Sequence, residues 1–181
     1  IDDDMAADVQ RYITQAGIHL FLGNGVTAIK DNSVLLQDGE IAADLVIMSV
    51  GVRPETALAN KAHLKLNARG SILVNNRMQT SDASIYAVGD AIEVTNFVSS
   101  QPAFLPLAGP ANKQGRIAAD NICGIASEYT GTQGSAILKL FDMTVAATGL
   151  NEKTALASGI DYDKTYIYSG SHAFYYPGAQ N

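Results

Sequence analysis

At 181 residues the chain is long enough for one domain, or two small ones, with a hydrophobic core. Hydrophobic residues make up 47% of it and charged residues 17%, a balance that excludes a disordered or low-complexity chain. The net charge of -6, with no Lys/Arg cluster, argues against a nucleic-acid or anionic-membrane surface.

Cys123 is the only cysteine, so a disulfide framework and a Cys/His metal site are both excluded from the reading. That usage fits a reducing cytoplasm. No apolar run approaches the roughly 20 residues needed to cross a bilayer. The chain opens on Ile1-Asp2-Asp3-Asp4 in place of a basic leader, and closes in the turn-like residues 175–181. An internal piece of a longer protein is therefore expected.

In chain order, Asp2, Asp3 and Asp4 supply N-terminal acids for a helix whose face carries Met5, Val9, Tyr12, Ile13 and Ala16, with Gly17 as its stop. Residues 18–22 read as a strand. Residues 26–30 and 33–37 read as a hairpin turning at Asp31-Asn32, and Asp38-Gly39 makes a second turn. Residues 45–50 form a continuous, β-branched apolar run, the pattern of a strand buried on both faces. Gly51-Val52-Arg53-Pro54 breaks it, and a short helix is predicted over 55–60.

Residues 72–74 and 85–88 read as short strands and 99–106 as a loop. Residues 108–123 then read as a helix with Ala111, Ile117, Ala118 and Ile122 apolar and Gly124 as its stop. Beyond Gly131, residues 136–141, 144–148 and 162–168 are strand-like, and 152–158 is predicted helical. Tyr and Thr replace Ala there, which places a boundary near residue 132.

Gly89-Asp90-Ala91 sets a carboxylate just beyond a predicted strand. Glycine allows close approach of a ligand, and an ionised Asp accepts strong hydrogen bonds from sugar-type hydroxyls. In open α/β sheets, ligands lie off the carboxyl ends of the strands. Taken alone, Gly89-Asp90 is an ordinary surface turn. Gly23-Asn24-Gly25-Val26-Thr27-Ala28 fits the dinucleotide glycine spacing but is followed by a predicted strand. The fingerprint needs a helix N-terminus to hold pyrophosphate, so this match is rejected. His19 and His63 have no partners in sequence, and Cys123, ending its helix, reads as a packing residue.

The context of Asp90 changes its reading. The stretch 80–91, TSDASIYAVGDA, resembles the second FAD-binding motif of the pyridine nucleotide-disulfide oxidoreductase family. Residues 105–122, LPLAGPANKQGRIAADNI, are similar to the helix facing the flavin in its coenzyme A-disulfide reductase, NADH oxidase and NADH peroxidase branch. Residues 45–54 are similar to the junction between NAD and FAD domains, and 171–178, SHAFYYPG, to a dimerisation-domain segment.

The resemblance implies an α/β fold: partial FAD/NAD(P)-binding domains (Rossmann-like, three-layer ββα) followed by the start of an α+β dimerisation domain. Residues 1–53 would end the NAD(P) domain, 54–131 the FAD domain, and 132–181 would open the third. FAD would contact Gly89, Asp90, Ala91, Leu107 and Ala108, with Asp90 on its ribityl or phosphate portion. Gly51 would let NAD(P)H pass. Tyr175 or Tyr176, one of the pair, would reach the partner subunit's active site in a homodimer.

The family's two glycine loops and its redox cysteine have no counterpart in these residues. The implied parent passes electrons from NAD(P)H through FAD to a disulfide (coenzyme A disulfide or persulfide), peroxide or oxygen. The chain by itself is expected to be inactive; the alternative from another class is a folded module that binds no flavin.

Overall fold

The computed structural model describes residues 1–170 and 172–178. They form two compact units, Ile1–Leu150 and Asn151–Asn181. Four α-helices and seven strands occur among the described residues.

The first unit opens with helix α1, Asp3–Gln15, whose first turn carries Asp3 and Asp4 against the positive end of the helix. Gly17, at φ 85°, ends it in the left-handed region that glycine adopts freely. Strands β1 (Val26–Ile29), β2 (Ser33–Leu36) and β3 (Gly39–Ala42) follow as one antiparallel sheet in the order β1-β2-β3. The predicted hairpin is present, and the second turn adds a third strand. Across β2 and β3, Ser33 Oγ donates to Glu40, which also receives Lys30 Nζ. These two partners, Ser33 first, hold the Glu40 carboxyl below its ordinary range.

Residues 45–50 are not a strand in the structure. Leu45, Ile47 and Val50 are 79%, 82% and 86% exposed. The reason is physical: a strand exists only as a pair, because its N–H and C=O groups must find a neighbouring ladder. No such ladder lies beside this run among the described residues. Residues 18–22 also lack a partner strand, as do 162–168 in the second unit.

The core lies farther along. Helix α2, Ala57–Lys61, contributes Ala59. Ile72 bridges Leu66 on one side and Ile92 on the other, its N–H donating to Ala91 O at 2.8 Å while its carbonyl accepts from Glu93 N at 3.0 Å. Residues 72–74 and 85–88 are thus held by single bridges in place of the predicted strands. Met78, buried at φ 65°, tops a turn that Asn75 Oδ1 fixes by accepting from Arg77 N and Gln79 N. Ile72, Met78, Ile92, Val94 and Ala118 complete the cluster with Ala59.

Strand β4, Val94–Thr95, pairs with β5, Pro102–Ala103, inside the predicted loop. Helix α3, Ala108–Ile122, agrees with its prediction to within a residue. Strands β6 (Ala136–Leu140) and β7 (Met143–Ala147) make an antiparallel hairpin whose turn is tied to α1, Asp142 N donating to Tyr12 Oη at 3.0 Å. In the second unit, Asn151 Oδ1 caps helix α4, Glu152–Ala157, by accepting from Thr154 N at 2.9 Å.

Gly131 stitches the β6 hairpin's approach to β4. Its φ is 94°, and a Cβ built there would lie 2.5 Å from Thr95 O. Thr132 N donates to that same oxygen, so the backbone cannot withdraw without losing the bond. Gly131→Ala is therefore expected to destabilise the chain by about 2 kcal/mol or more in urea denaturation. A cost below about 0.5 kcal/mol, the ordinary surface value, would show that the approach is not tight.

Candidate functional site

Two segments named from the sequence meet in the first unit. Gly89–Ala91 forms a single 3-10 turn that packs against α3. The extended Val88 leads into it, and Gly89, at φ 76°, makes the sharp entry that a residue with a side chain rarely adopts. The Gly89 N–H donates to Gln114 Oε1 at 2.8 Å. Gln114 is only 1% exposed, and an ideal Cβ on Gly89 would sit 3.8 Å from the Ala111 methyl. The turn therefore rests on the face of α3 that carries Ala111, Gln114 and Ala118.

Beyond that contact the turn exposes Asp90, whose carboxylate has neither an ion pair nor a hydrogen bond among the described residues. Gly89 and Ala91 are half-buried. Ile92, which follows, is buried and its N–H returns to Gly89 O, which fixes the turn from below.

The beginning of α3 is the second component. Leu107 is its N-cap and is half-buried; Ala108 and Gly109 are exposed. A helix leaves its first N–H groups without intrahelical acceptors, and they carry partial positive charge. Each other described helix satisfies that end locally. α1 has Asp3 and Asp4, α2 has Glu55 Oε1 accepting from Ala57 N, and α4 has Asn151 and Glu152. α3 has no capping side-chain bond and no acid in its first turn. Beside this end runs a cleft of about 430 Å³ lined by Gly109, Pro110, Lys113, Phe97, Tyr129 and Gly131.

The donor set suits a flavin dinucleotide. An exposed, unpartnered carboxylate accepts hydrogen bonds from polyol hydroxyls, and an uncapped helix end favours an electron-rich ring edge. Gly51 lies apart from this pair of segments: it is exposed, at φ 90°, and a Cβ there would meet nothing within 4 Å. Tyr175 and Tyr176 belong to the second unit, both exposed, with ring centroids 4.7 Å apart and planes tilted by 40°. Ser171, from the same motif, falls outside the described residues.

Sequence reading passed over Gln114. The signal was present: a polar residue at the i+3 position from Ala111 and i−4 from Ala118, two apolar positions of one helix face. A buried amide there needs a partner, and the Gly89 amide is that partner.

Known proteins resemble this chain in sequence and fold. A family model described as pyridine nucleotide-disulphide oxidoreductase matches residues 1–115. The NAD(P)H sulfur oxidoreductase (CoA-dependent) of Pyrococcus furiosus is 36% identical over 147 residues, covering 81% of this chain and 33% of that protein. The NADH oxidase of Methanocaldococcus jannaschii is 35% identical, covering 99% of this chain and 41% of its own. Among solved structures, the reduced CoADR-RHD of Bacillus anthracis superposes with a TM-score of 0.93 at 46% identity, over 99% of this chain and 33% of that one. The chain thus spans between a third and two fifths of the relatives it matches, and its fold is their α/β, Rossmann-like fold. Among the described residues no helix is long and apolar enough to cross a membrane, and no group of three metal-ligating side chains occurs.

The open end of α3 carries a prediction of its own. Gly109→Glu is expected to be more stable than Gly109→Gln by about 0.3–1 kcal/mol at low ionic strength, the two differing only in charge. Denaturation curves at two salt concentrations would measure it. Equal stabilities would mean that the helix end is already compensated.

Proposed function

This chain belongs to the pyridine nucleotide-disulphide oxidoreductase family, and we propose that within a longer flavoprotein it supplies one side of an FAD site. Asp90 accepts hydrogen bonds from ribityl hydroxyls, while Gly89 and Ala91 bring the backbone close. Leu107 and Ala108 present the uncapped end of α3 to the pyrimidine edge of the ring, where negative charge grows on reduction. FAD, when bound, supplies the two-electron chemistry that links NAD(P)H to the final acceptor. The observation that carries this reading is the meeting of an unpartnered Asp90 with the one described helix whose N-terminus is left uncompensated.

Under the same proposal residues 1–53 complete an NAD(P)-binding domain, 54–131 an FAD-binding domain, and 132–181 begin a dimerisation domain. Gly51, without a side chain, leaves room for the nicotinamide cofactor. The exposed apolar run 45–50 supports this division, since it has the composition of a central strand. The parent is a cytoplasmic homodimer whose electrons pass to a disulfide, peroxide or oxygen. Relatives include an NAD(P)H sulfur oxidoreductase (CoA-dependent), a Coenzyme A disulfide reductase and an NADH oxidase, which supports this set of acceptors. Either Tyr175 or Tyr176 then donates a phenolic hydrogen bond to the reacting sulfur.

In the full-length protein, Asp90→Asn is expected to weaken FAD binding about tenfold or more, read by flavin fluorescence on reconstitution of the apoprotein. Unchanged affinity would remove Asp90 from the site. The 181-residue chain alone, holding one side of the pocket, is expected to stay colourless after incubation with FAD and gel filtration; stoichiometric yellow protein would contradict the half-site reading. Of Tyr175→Phe and Tyr176→Phe, one is expected to lower kcat with a disulfide acceptor about tenfold, leaving reduction by NAD(P)H in rapid mixing unchanged. If both variants keep full turnover, neither phenol takes part.

A further inference from the structure

We infer that Gln114 is a positioning residue for the flavin site, setting the distance between Asp90 and the open end of α3. This rests on the reading that those two features face FAD. Gln114 and Ser71 are the buried polar residues of the described chain, and Gln114 alone of the two lies on α3. A buried side-chain amide costs free energy unless it is bonded. Gln114 meets that cost with a bond across 25 residues of sequence, from Gly89 N to its Oε1 at 2.8 Å.

The consequence follows from the stiffness of what it joins. Gln114 sits six residues into α3 from Ala108, about 9 Å along the axis at 1.5 Å per residue. The helix between them is continuous, so fixing Gly89 on Gln114 fixes it relative to the Ala108 and Gly109 N–H groups. Asp90 is the next residue of a three-residue turn whose far end is closed by Ile92 N on Gly89 O. One hydrogen bond thereby fixes the turn that carries Asp90 at a set height on the helix, and so relative to the helix end. The packing beside it is less directional: a Cβ built on Gly89 would lie 3.8 Å from the Ala111 methyl, an ordinary van der Waals distance, whereas the hydrogen bond prefers one distance and angle.

Leucine has a similar volume but no acceptor, so Gln114→Leu leaves the Gly89 N–H unsatisfied and frees the turn. Glutamate keeps an oxygen in the same place. In the full-length holoenzyme, Gln114→Leu is expected to raise the FAD dissociation constant about tenfold and to shift the visible bands of the bound flavin, with KM for NAD(P)H unchanged. Gln114→Glu is expected to return the affinity to within about threefold of the parent protein, because the acceptor is restored. Gln114→Met serves as a second variant without a strong acceptor should the leucine protein fail to fold.

Three results would overturn the inference. One is a leucine or methionine variant with unaltered FAD affinity and spectrum, in a protein where Asp90→Asn does weaken FAD. The second is equal loss of affinity in the leucine, methionine and glutamate variants, which would mark Gln114 as a packing residue only. In the third, neither Asp90→Asn nor Gln114→Leu affects FAD; then the proposed site itself is wrong, and the positioning role falls with it.

Discussion

The hydrogen bond from Gly89 N to Gln114 Oε1 joins two parts of the chain that the sequence separates by a strand pair and a loop. Among the described residues it is the one hydrogen bond between the Asp90 turn and α3, and it acts beside a shared core. On one side, the turn hangs from Ile92, which is packed in the core and bridged to Ile72. On the other, α3 is anchored by Ala118 in the same core. The core therefore grips both segments from below, while the amide bond aligns them at the surface. Without it, the turn that carries Asp90 would be held to α3 by packing alone.

The other organising constraint is the one the chain leaves unmet. Residues 45–50 have the apolar, β-branched content of a strand meant for burial on both faces, yet they lie exposed and unpaired. A parallel sheet is assembled from segments distant in sequence, and its strands have no stability apart from their neighbours. The antiparallel ribbons behave differently. β1-β2-β3 and β6-β7 find their partners within a few residues, so they form inside this chain.

That distinction also governs how much was legible beforehand. α1 and α3 were readable because apolar spacing and a terminal glycine agreed, with N-terminal acids added at α1, and the structure places both within about a residue. The β1-β2 hairpin was readable from Asp31-Asn32 for the same reason. Residues 18–22, 45–50 and 162–168 have strand composition, but composition states a preference for pairing and cannot supply the pair. The β4-β5 ribbon was missed because two-residue strands carry no periodicity to detect, and Pro102 argues against one. At the site, Gly89-Asp90 was informative only beside residues 105–122, since a Gly-Asp pair is common in turns. Gln114 was not legible as a buried amide, because nothing in its spacing distinguishes one from a solvated amide; its importance lies in being polar and 1% exposed between Ala111 and Ala118.

The electrostatics of α3 give the arrangement its direction. In a chain of net charge -6, acids are plentiful, and α1 and α4 each carry one or more in the first turn. α2 borrows Glu55 for the same purpose. α3 begins Ala108-Gly109-Pro110, with no acid, no capping side chain and, at Pro110, no N–H to satisfy. Its dipole is left uncompensated at the N-terminus, which costs the isolated chain a few tenths of a kcal/mol to about 1 kcal/mol. Such a deficit is tolerable when a bound group with an electron-rich edge meets it. The small residues at 108 and 109 then have a second role, because any longer side chain would stand between that group and the N–H groups. An acid there would stabilise the helix and occupy the place proposed for the electron-rich edge. The sequence at the start of α3 is thus poor for the helix and good for a ligand, the opposite trade from the one made at α1.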